Sequence, residues 1–201
     1  DVLDKIGHDK AILLMHTDVN DDHGQPLAAL VQELGLEDQV KFSTTKVDPM
    51  QLAGLYNMAD CTINISDAEG FGLATLESLS CETPIIVNMT GGLQEQVTDG
   101  EDWFGIGIEP SSKAVIGSMA CPFIYEDRLD KEDFINACVE MYNKSEEDRR
   151  ELGRKGREHV VKNYNFKDFK SAWVKCMLDL HEEHGSWETR KNYTKWRVVS
   201  L

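Results

Sequence analysis

The sequence predicts an α/β fold, a doubly wound parallel sheet with extra helices at its C-terminal end. Three observations carry that reading. Strand-length apolar runs alternate with helix-period patterns across the first two thirds of the 201 residues. The connections between them are short, which favours parallel strands with crossover helices on both faces. The last third then turns to long charged-and-apolar helical patterns. With 41% hydrophobic residues, the chain has the material for a core.

Taken in order, residues 1–7 read as a short helix and Ala11–Met15 (AILLM) as the first strand. Pro26–Leu34 has Leu27, Leu30, Val31 and Leu34 at helical spacing, a proline suited to the first turn, and Gly35 as its stop. Val40–Ser43 is a brief strand. Asp48 is placed to cap a helix that opens at Pro49 and continues over Met50–Met58. A strand near Cys61–Ser66, a helix from Phe71 to Cys81, a strand Pro84–Val87 and a short helix over Gly92–Thr98 follow. Strand-like pieces come next around Gly105–Ile108 and Pro122–Tyr125. Leu129–Met141, Ser145–Tyr164 and Phe166–His184 read as three helices, the second opened by Ser145 and Asp148 in a capping-box-like arrangement. The tail, Gly185–Leu201, is basic and aromatic.

Composition excludes several classes. Twenty-one Lys and Arg against 36 Asp and Glu give a net charge of −15, the wrong sign for a nucleic-acid-binding face. No apolar run approaches the ~18 residues of a membrane span, and nothing at the start reads as a signal peptide, so a cytoplasmic location is expected. Five cysteines without a C-x-x-C pair, set among apolar neighbours, read as buried free thiols of a reducing compartment. The six histidines have no metal-ligand spacing, so no metal site is expected, and no cofactor is expected either.

The charge is uneven. Residues 1–112 hold 4 Lys and 20 acidic residues, net −16, whereas residues 113–201 are net +1, and no basic side chain lies between Lys46 and Lys113. Either this stretch is an acidic solvated surface, or an anion bound there uses backbone N–H groups with cations brought from elsewhere.

The informative segment is Ser66-Asp67-Ala68-Glu69-Gly70-Phe71-Gly72-Leu73-Ala74-Thr75-Leu76-Glu77. It leaves a strand and opens a helix, so the N–H groups near Gly70–Leu73 are donors at a helix N-terminus, where the dipole favours anions. Gly70 and Gly72 admit a ligand close to the backbone. Glu77 is the only charge from Gly70 to Cys81, on a wheel face shared with Leu73, Leu76 and Ser80. A carboxylate on an apolar face needs hydrogen bonds or a counter-charge. A structural ion pair or a dipole contact is one answer; a polyhydroxyl ligand is the other, and no Arg or Lys stands within 30 residues on either side.

Glu69 and Glu77, eight apart in EGFGLATLE, resemble the two-glutamate motif of retaining GT-B glycosyltransferases, particularly glycosyltransferase family 4. Leu52–Asp60 (LAGLYNMAD), Ser78–Val87 (SLSCETPIIV) and Gly91-Gly92-Leu93-Gln94-Glu95 agree in order and spacing. Two departures occur: Asn64-Ile65-Ser66 lacks a proline, and Cys81-Glu82-Thr83 lacks the usual glycine before the threonine. The likeness covers roughly residues 10–175.

The resemblance implies the C-terminal half of a GT-B fold, a Rossmann-like domain over residues 1–165, with a C-terminal helix and tail, 166–201, packing toward an N-terminal acceptor-binding domain. It implies transfer of a sugar from a nucleoside-diphosphate sugar to a saccharide, lipid or protein acceptor, with retention and without metal. Glu69 would be the catalytic carboxylate beside the sugar, and Glu77 would bind the donor ribose. Gly70, Phe71, Gly72 and Leu73 would face sugar and diphosphate, with Ser66 and Thr17 at the same strand ends and Lys46 and Val47 toward the base. Family members also carry an upstream strand and an Arg/Lys clamp. Since this chain begins in the next helix, a piece inactive alone is expected. A non-catalytic nucleotide-sugar-binding module of the same fold is the alternative. No G-x-G-x-x-G follows the first strand, which disfavours a dinucleotide-dependent dehydrogenase.

Among other features, Trp173, Trp187, Tyr193 and Trp196 suggest packing against a further domain, or else stacking on carbohydrate or a membrane interface. Asn143-Lys144-Ser145 and Asn192-Tyr193-Thr194 fit the N-glycosylation pattern, with nothing else pointing to secretion.

Overall fold

The computed structural model describes residues 1–21 and 24–192. His23, Tyr193, Trp196 and the last two residues of the Asn192 sequon lie outside that range. The chain divides into two compact units, 1–158 and 159–201.

The first unit is an α/β domain whose parallel strands run in two hydrogen-bonded groups. Helix α1 (Val2–Ile6) precedes strand β1 (Leu13–His16), which pairs in parallel with β2 (Val40–Ser43) in the register Leu13 to Val40. Helices α2 (Leu27–Glu33) and α3 (Pro49–Met58) flank β2 in sequence. Strands β3 (Thr62–Asn64), β4 (Ile85–Asn88) and β5 (Gly105–Ile108) form the second parallel group, with β4 central. Between them run α4 (Leu73–Ser80) and α5 (Leu93–Val97).

The sequence expectation of a parallel α/β sheet holds, with two differences. The strands do not join into one continuous ladder among the described residues. An antiparallel hairpin is added: β6 (Ser112–Ile116) pairs with β7 (Ile124–Arg128), Ser112 opposite Arg128 and Ile116 opposite Ile124. Only its second strand was anticipated.

Local signals explain most element ends. Asp48 accepts from Gln51 N at 2.9 Å while Gln51 returns a bond to Asp48 N, a capping box opening α3 ahead of Pro49. Ser145 accepts from Asp148 N at 3.1 Å where α7 (Glu146–Asn163) begins. Cys81 closes α4, and the next residue, Glu82, stands at φ 61, a left-handed conformation that disfavours a side chain. This is the position where the resemblance expects glycine.

The core lies on both faces of β4. Ile86 packs with Ile108 of β5 and with Ala137 and Met141 of α6 (Lys131–Asn143). Its neighbours Ile85 and Val87 point to the opposite face, because strand side chains alternate, and they are fully buried along with Leu79, Leu93 and Val97. Each such burial contributes about 1.5–3 kcal/mol. Among the described residues, none before Gly72 is buried: β1 leaves Leu13 and Leu14 exposed on alternate faces, and β3 leaves Ile63 exposed.

Three cysteines, Cys61, Cys81 and Cys138, are half-buried, and burial pushes the Cys61 thiol up to about 12. Cys121 and Cys176 are exposed, which corrects the expectation of five buried thiols. In the second unit, α8 (Phe166–His184) is capped by Asn165, which accepts from Asp168 N at 2.9 Å. Phe166, Phe169 and Trp173 form an exposed aromatic row along it. Arg190 lies 3.7 Å over the Trp187 ring.

Candidate functional site

The β3–α4 loop leaves the carboxyl end of β3, where parallel α/β sheets bind ligands. Asn64 Oδ1 starts the turn by accepting from Ser66 N at 3.1 Å and from Ser66 Oγ at 2.7 Å. The Ser66 hydroxyl, singled out as a ligand contact, is therefore already engaged in shaping the loop.

At the far end of the loop, Gly72 takes φ 88 and begins α4. A Cβ there would stand 2.6 Å from Leu93 Cδ2, so only glycine fits both the angle and the space. Gln96, fully buried, donates from Nε2 to Phe71 O at 2.5 Å, and its Oε1 lies 2.6 Å from the Thr75 hydroxyl. Gly91 and Gly92 support the loop from below. A Cβ on Gly91 would sit 1.6 Å from Glu69 O, and one on Gly92 2.6 Å from Phe71 O. The two motifs that sequence reading took separately, EGFG and GGLQE, are thus packed backbone to backbone. Glu69 is half-buried there, while Gly70, Phe71 and Leu73 are exposed.

Glu77 differs from its expected setting. The buried stripe of α4 is Thr75, Ser78 and Leu79; Leu73 is 68% exposed, and Glu77 faces outward with it. Burial does not force a partner on this carboxylate. It has one nonetheless: Tyr56 Oη on α3 donates to Glu77 Oε2 at 3.0 Å. Burial first, and the bond to Glu77 second, push the Tyr56 phenol above its ordinary value. A carboxylate accepts about four bonds, so Glu77 keeps acceptor capacity toward solvent.

The first cations after Lys46 reach this loop on the hairpin. Asp127 N donates to Asp67 O at 2.7 Å, and Arg128 Nη1 to Asp67 Oδ2 at 2.8 Å. Arg128 also bonds Glu126, and Lys113 Nζ lies 3.4 Å from Asp127 Oδ1. Thr90 donates to Asp127 Oδ2 at 2.7 Å, and that bond, ahead of Lys113, holds the Asp127 carboxyl below the usual range. Three carboxylates thus face two cations.

Thr17 and the pair Lys46 and Val47 follow β1 and β2, at the carboxyl ends of the other strand group. Thr17 N donates to Ser43 O at 3.1 Å, and His16 Nδ1 lies 3.0 Å from Ser43 Oγ. No hydrogen bond or ion pair joins these three to Glu69 or Glu77 among the described residues. No group of three metal-ligating side chains forms among them either. Sequence reading missed Tyr56, Asn88, Gln96, Asp127 and Arg128. Only Tyr56 lay within a motif already quoted, Leu52–Asp60, while Gln96 falls one residue beyond Gly91-Gly92-Leu93-Gln94-Glu95.

The model of the family described as glycosyl transferases group 1 matches residues 8–159. The chain belongs to that family. A D-inositol 3-phosphate glycosyltransferase of Thermomonospora curvata is 40% identical over 91 residues, 45% of this group 1 chain and 21% of that protein. D-inositol 3-phosphate glycosyltransferase 2 of Catenulispora acidiphila is 32% identical over 139 residues, 63% of this chain and 32% of its own length. Among solved structures, sucrose-phosphate synthase of Thermosynechococcus elongatus superposes with a TM-score of 0.64 at 26% identity, covering 86% of this chain and 39% of that one. Anabaena HepE, solved with UDP and glucose, gives a TM-score of 0.60 at 19% identity over 84% of this chain and 41% of that one. These neighbours share the GT-B, Rossmann-like fold with the chain. The chain spans a fifth to a third of these two curated relatives and about two fifths of these solved ones. No described helix is long and apolar enough to cross a membrane.

Proposed function

We propose that this chain is the donor-binding part of a retaining glycosyltransferase that uses a nucleoside-diphosphate sugar. The observation that carries the reading is the placement of Glu69 and Glu77 on one loop-and-helix unit at the carboxyl end of β3, held against Gly91-Gly92. Glu77, outward-facing and steadied by Tyr56, accepts from vicinal ribose hydroxyls. The N–H groups at the start of α4 face the diphosphate, where helix-end donors favour anions. Glu69, one loop earlier, lies beside the transferred sugar. As the bond from the anomeric carbon to the diphosphate oxygen breaks, positive charge grows on that carbon, and a carboxylate there stabilises it. The acceptor oxygen then bonds to that carbon on the same face, and its proton passes to the departing diphosphate oxygen. Thr17, Lys46 and Val47 belong to the base and sugar periphery of this site. Nothing in the proposed chemistry draws on a metal or a cofactor.

Titration calorimetry of the protein with UDP, GDP, ADP and their glucose conjugates tests the reading. Binding of one nucleoside diphosphate that weakens in Glu77→Ala supports it, and no binding to any of them overturns it. Transfer or slow donor hydrolysis lost in Glu69→Ala separates an enzyme from a binding module.

A further inference from the structure

We propose that Asn88 is a positioning residue for Glu69, tying the β3–α4 loop to the foot of the β6–β7 hairpin. The inference rests on the reading of Glu69 as the sugar-facing carboxylate. Asn88 ends β4 and is fully buried. Its Nδ2 donates to Ser66 O at 2.9 Å and to Asp127 O at 3.0 Å, so both amide hydrogens go to carbonyls of two different elements. A flipped amide would set Oδ1 against those two carbonyls, so the orientation is fixed by its surroundings.

The same amide leaves its Oδ1 buried without a hydrogen-bond partner. An orphaned buried acceptor opposes stability, and an apolar side chain would avoid it. The two bonds from Nδ2 are what this residue contributes. They act together with the Asp127 N bond to Asp67 O at 2.7 Å, so Ser66 and Asp67 are held directly before Ala68 and Glu69. Gly91 fixes the Glu69 carbonyl from the other side. The Arg128–Asp67 pair adds little, because both side chains are more than a third exposed and solvent screens the charges. With Asp67, Glu126 and Asp127 outnumbering Arg128 and Lys113, the hairpin foot orients the loop and does not attract phosphate.

The test compares the wild-type protein with Asn88→Leu, which keeps the bulk but cannot donate, and with Asn88→Ala, which removes the group altogether. Amide hydrogen exchange over residues 65–71 is expected to quicken by about tenfold in both variants while α4 stays unchanged. Calorimetry is expected to give nucleoside-diphosphate affinity within about threefold of wild type, with the further change in affinity brought by the attached glucose lost. Unchanged loop exchange overturns the proposal. So does an equal loss of affinity for the diphosphate and for its glucose conjugate. If wild-type protein binds no nucleotide, the functional reading falls and takes the link to Glu69 with it; the exchange arm still decides whether Asn88 holds the loop.

Discussion

Tyr56 donates its hydroxyl to Glu77 across the α3–α4 pair at 3.0 Å, joining two residues 21 apart in the chain. The bond uses one lone pair of one carboxylate oxygen and restrains an otherwise exposed side chain. Tyr56→Phe removes that restraint and leaves the charge. Nucleoside-diphosphate affinity should fall by about 0.5–1.5 kcal/mol, less than for removal of Glu77 itself.

The same pair has a spectroscopic signature. Tyr56 titrates above an ordinary tyrosine, so an ultraviolet titration should find one late phenol. Glu77→Gln should bring it down only in part, because burial, the larger cause, remains. A phenol raised in the folded state contributes stability that is full below the unfolded value near ~10 and declines as pH rises past it. Chemical denaturation between neutral pH and alkali should therefore lose more stability in wild type than in Tyr56→Phe.

The two glutamates should separate kinetically. In the active enzyme, Glu77→Ala should weaken donor binding by about 1.5–3 kcal/mol, the range for hydrogen bonds to a charged group. On the proposed reading the partner of Glu69 is the reacting sugar, so Glu69→Ala should lower kcat with a smaller change in nucleoside-diphosphate affinity. Calorimetry beside steady-state kinetics distinguishes them, and the reverse pattern would exchange the two roles.

Glu82 holds a left-handed backbone at φ 61 directly after α4. Its carboxylate reaches Arg157 at only 3.7 Å, between side chains that are each about half exposed, so the pair offsets little of that strain. Glu82→Gly should raise stability by about 1 kcal/mol, the lower end of the left-handed cost. A urea midpoint that falls instead would mean that the ion pair outweighs the backbone term.

Acid sensitivity should report on Asp127. Its carboxyl is held low by the Thr90 hydroxyl and by Lys113, so its contribution is full above the ordinary carboxylate range and lost as pH falls through the depressed value. Thr90→Val removes the larger cause. The stability gap between wild type and that variant should be full near neutrality and close on acidification, as followed by urea denaturation across that range.

Much of the architecture was legible because local signals and burial agree. Asp48 with Pro49, the continuous apolar run Ile85–Val87 and the Gly-rich entry to α4 each name an element without its neighbours. Positions in the chain did not reveal who meets whom. Glu77 looked buried because it shares a wheel face with Leu73 and Leu76, yet the buried face is Leu79 with Thr75 and Ser78, small polar side chains that hydropathy does not mark as core. The hairpin was half missed because Ala114–Tyr125 carries no charge and gives no alternation to mark its two strands. Asn88 and Asp127 were invisible for a simpler reason: their partners lie 22 to 39 residues away, in other elements.

The uneven burial of the first unit has a thermodynamic consequence. All its well-buried side chains lie from Gly72 onward, whereas α1, β1, α2, β2, α3 and β3 contribute none. Opening free energy follows local burial, so the N-terminal half should exchange its amides through sub-global openings that cost far less than unfolding the β4–β5 core. The junction between the labile and the persistent half falls within the loop that carries Glu69. Glu69 thus stands at the boundary between the labile and the persistent half, and anything that binds across it gains by stiffening both sides at once.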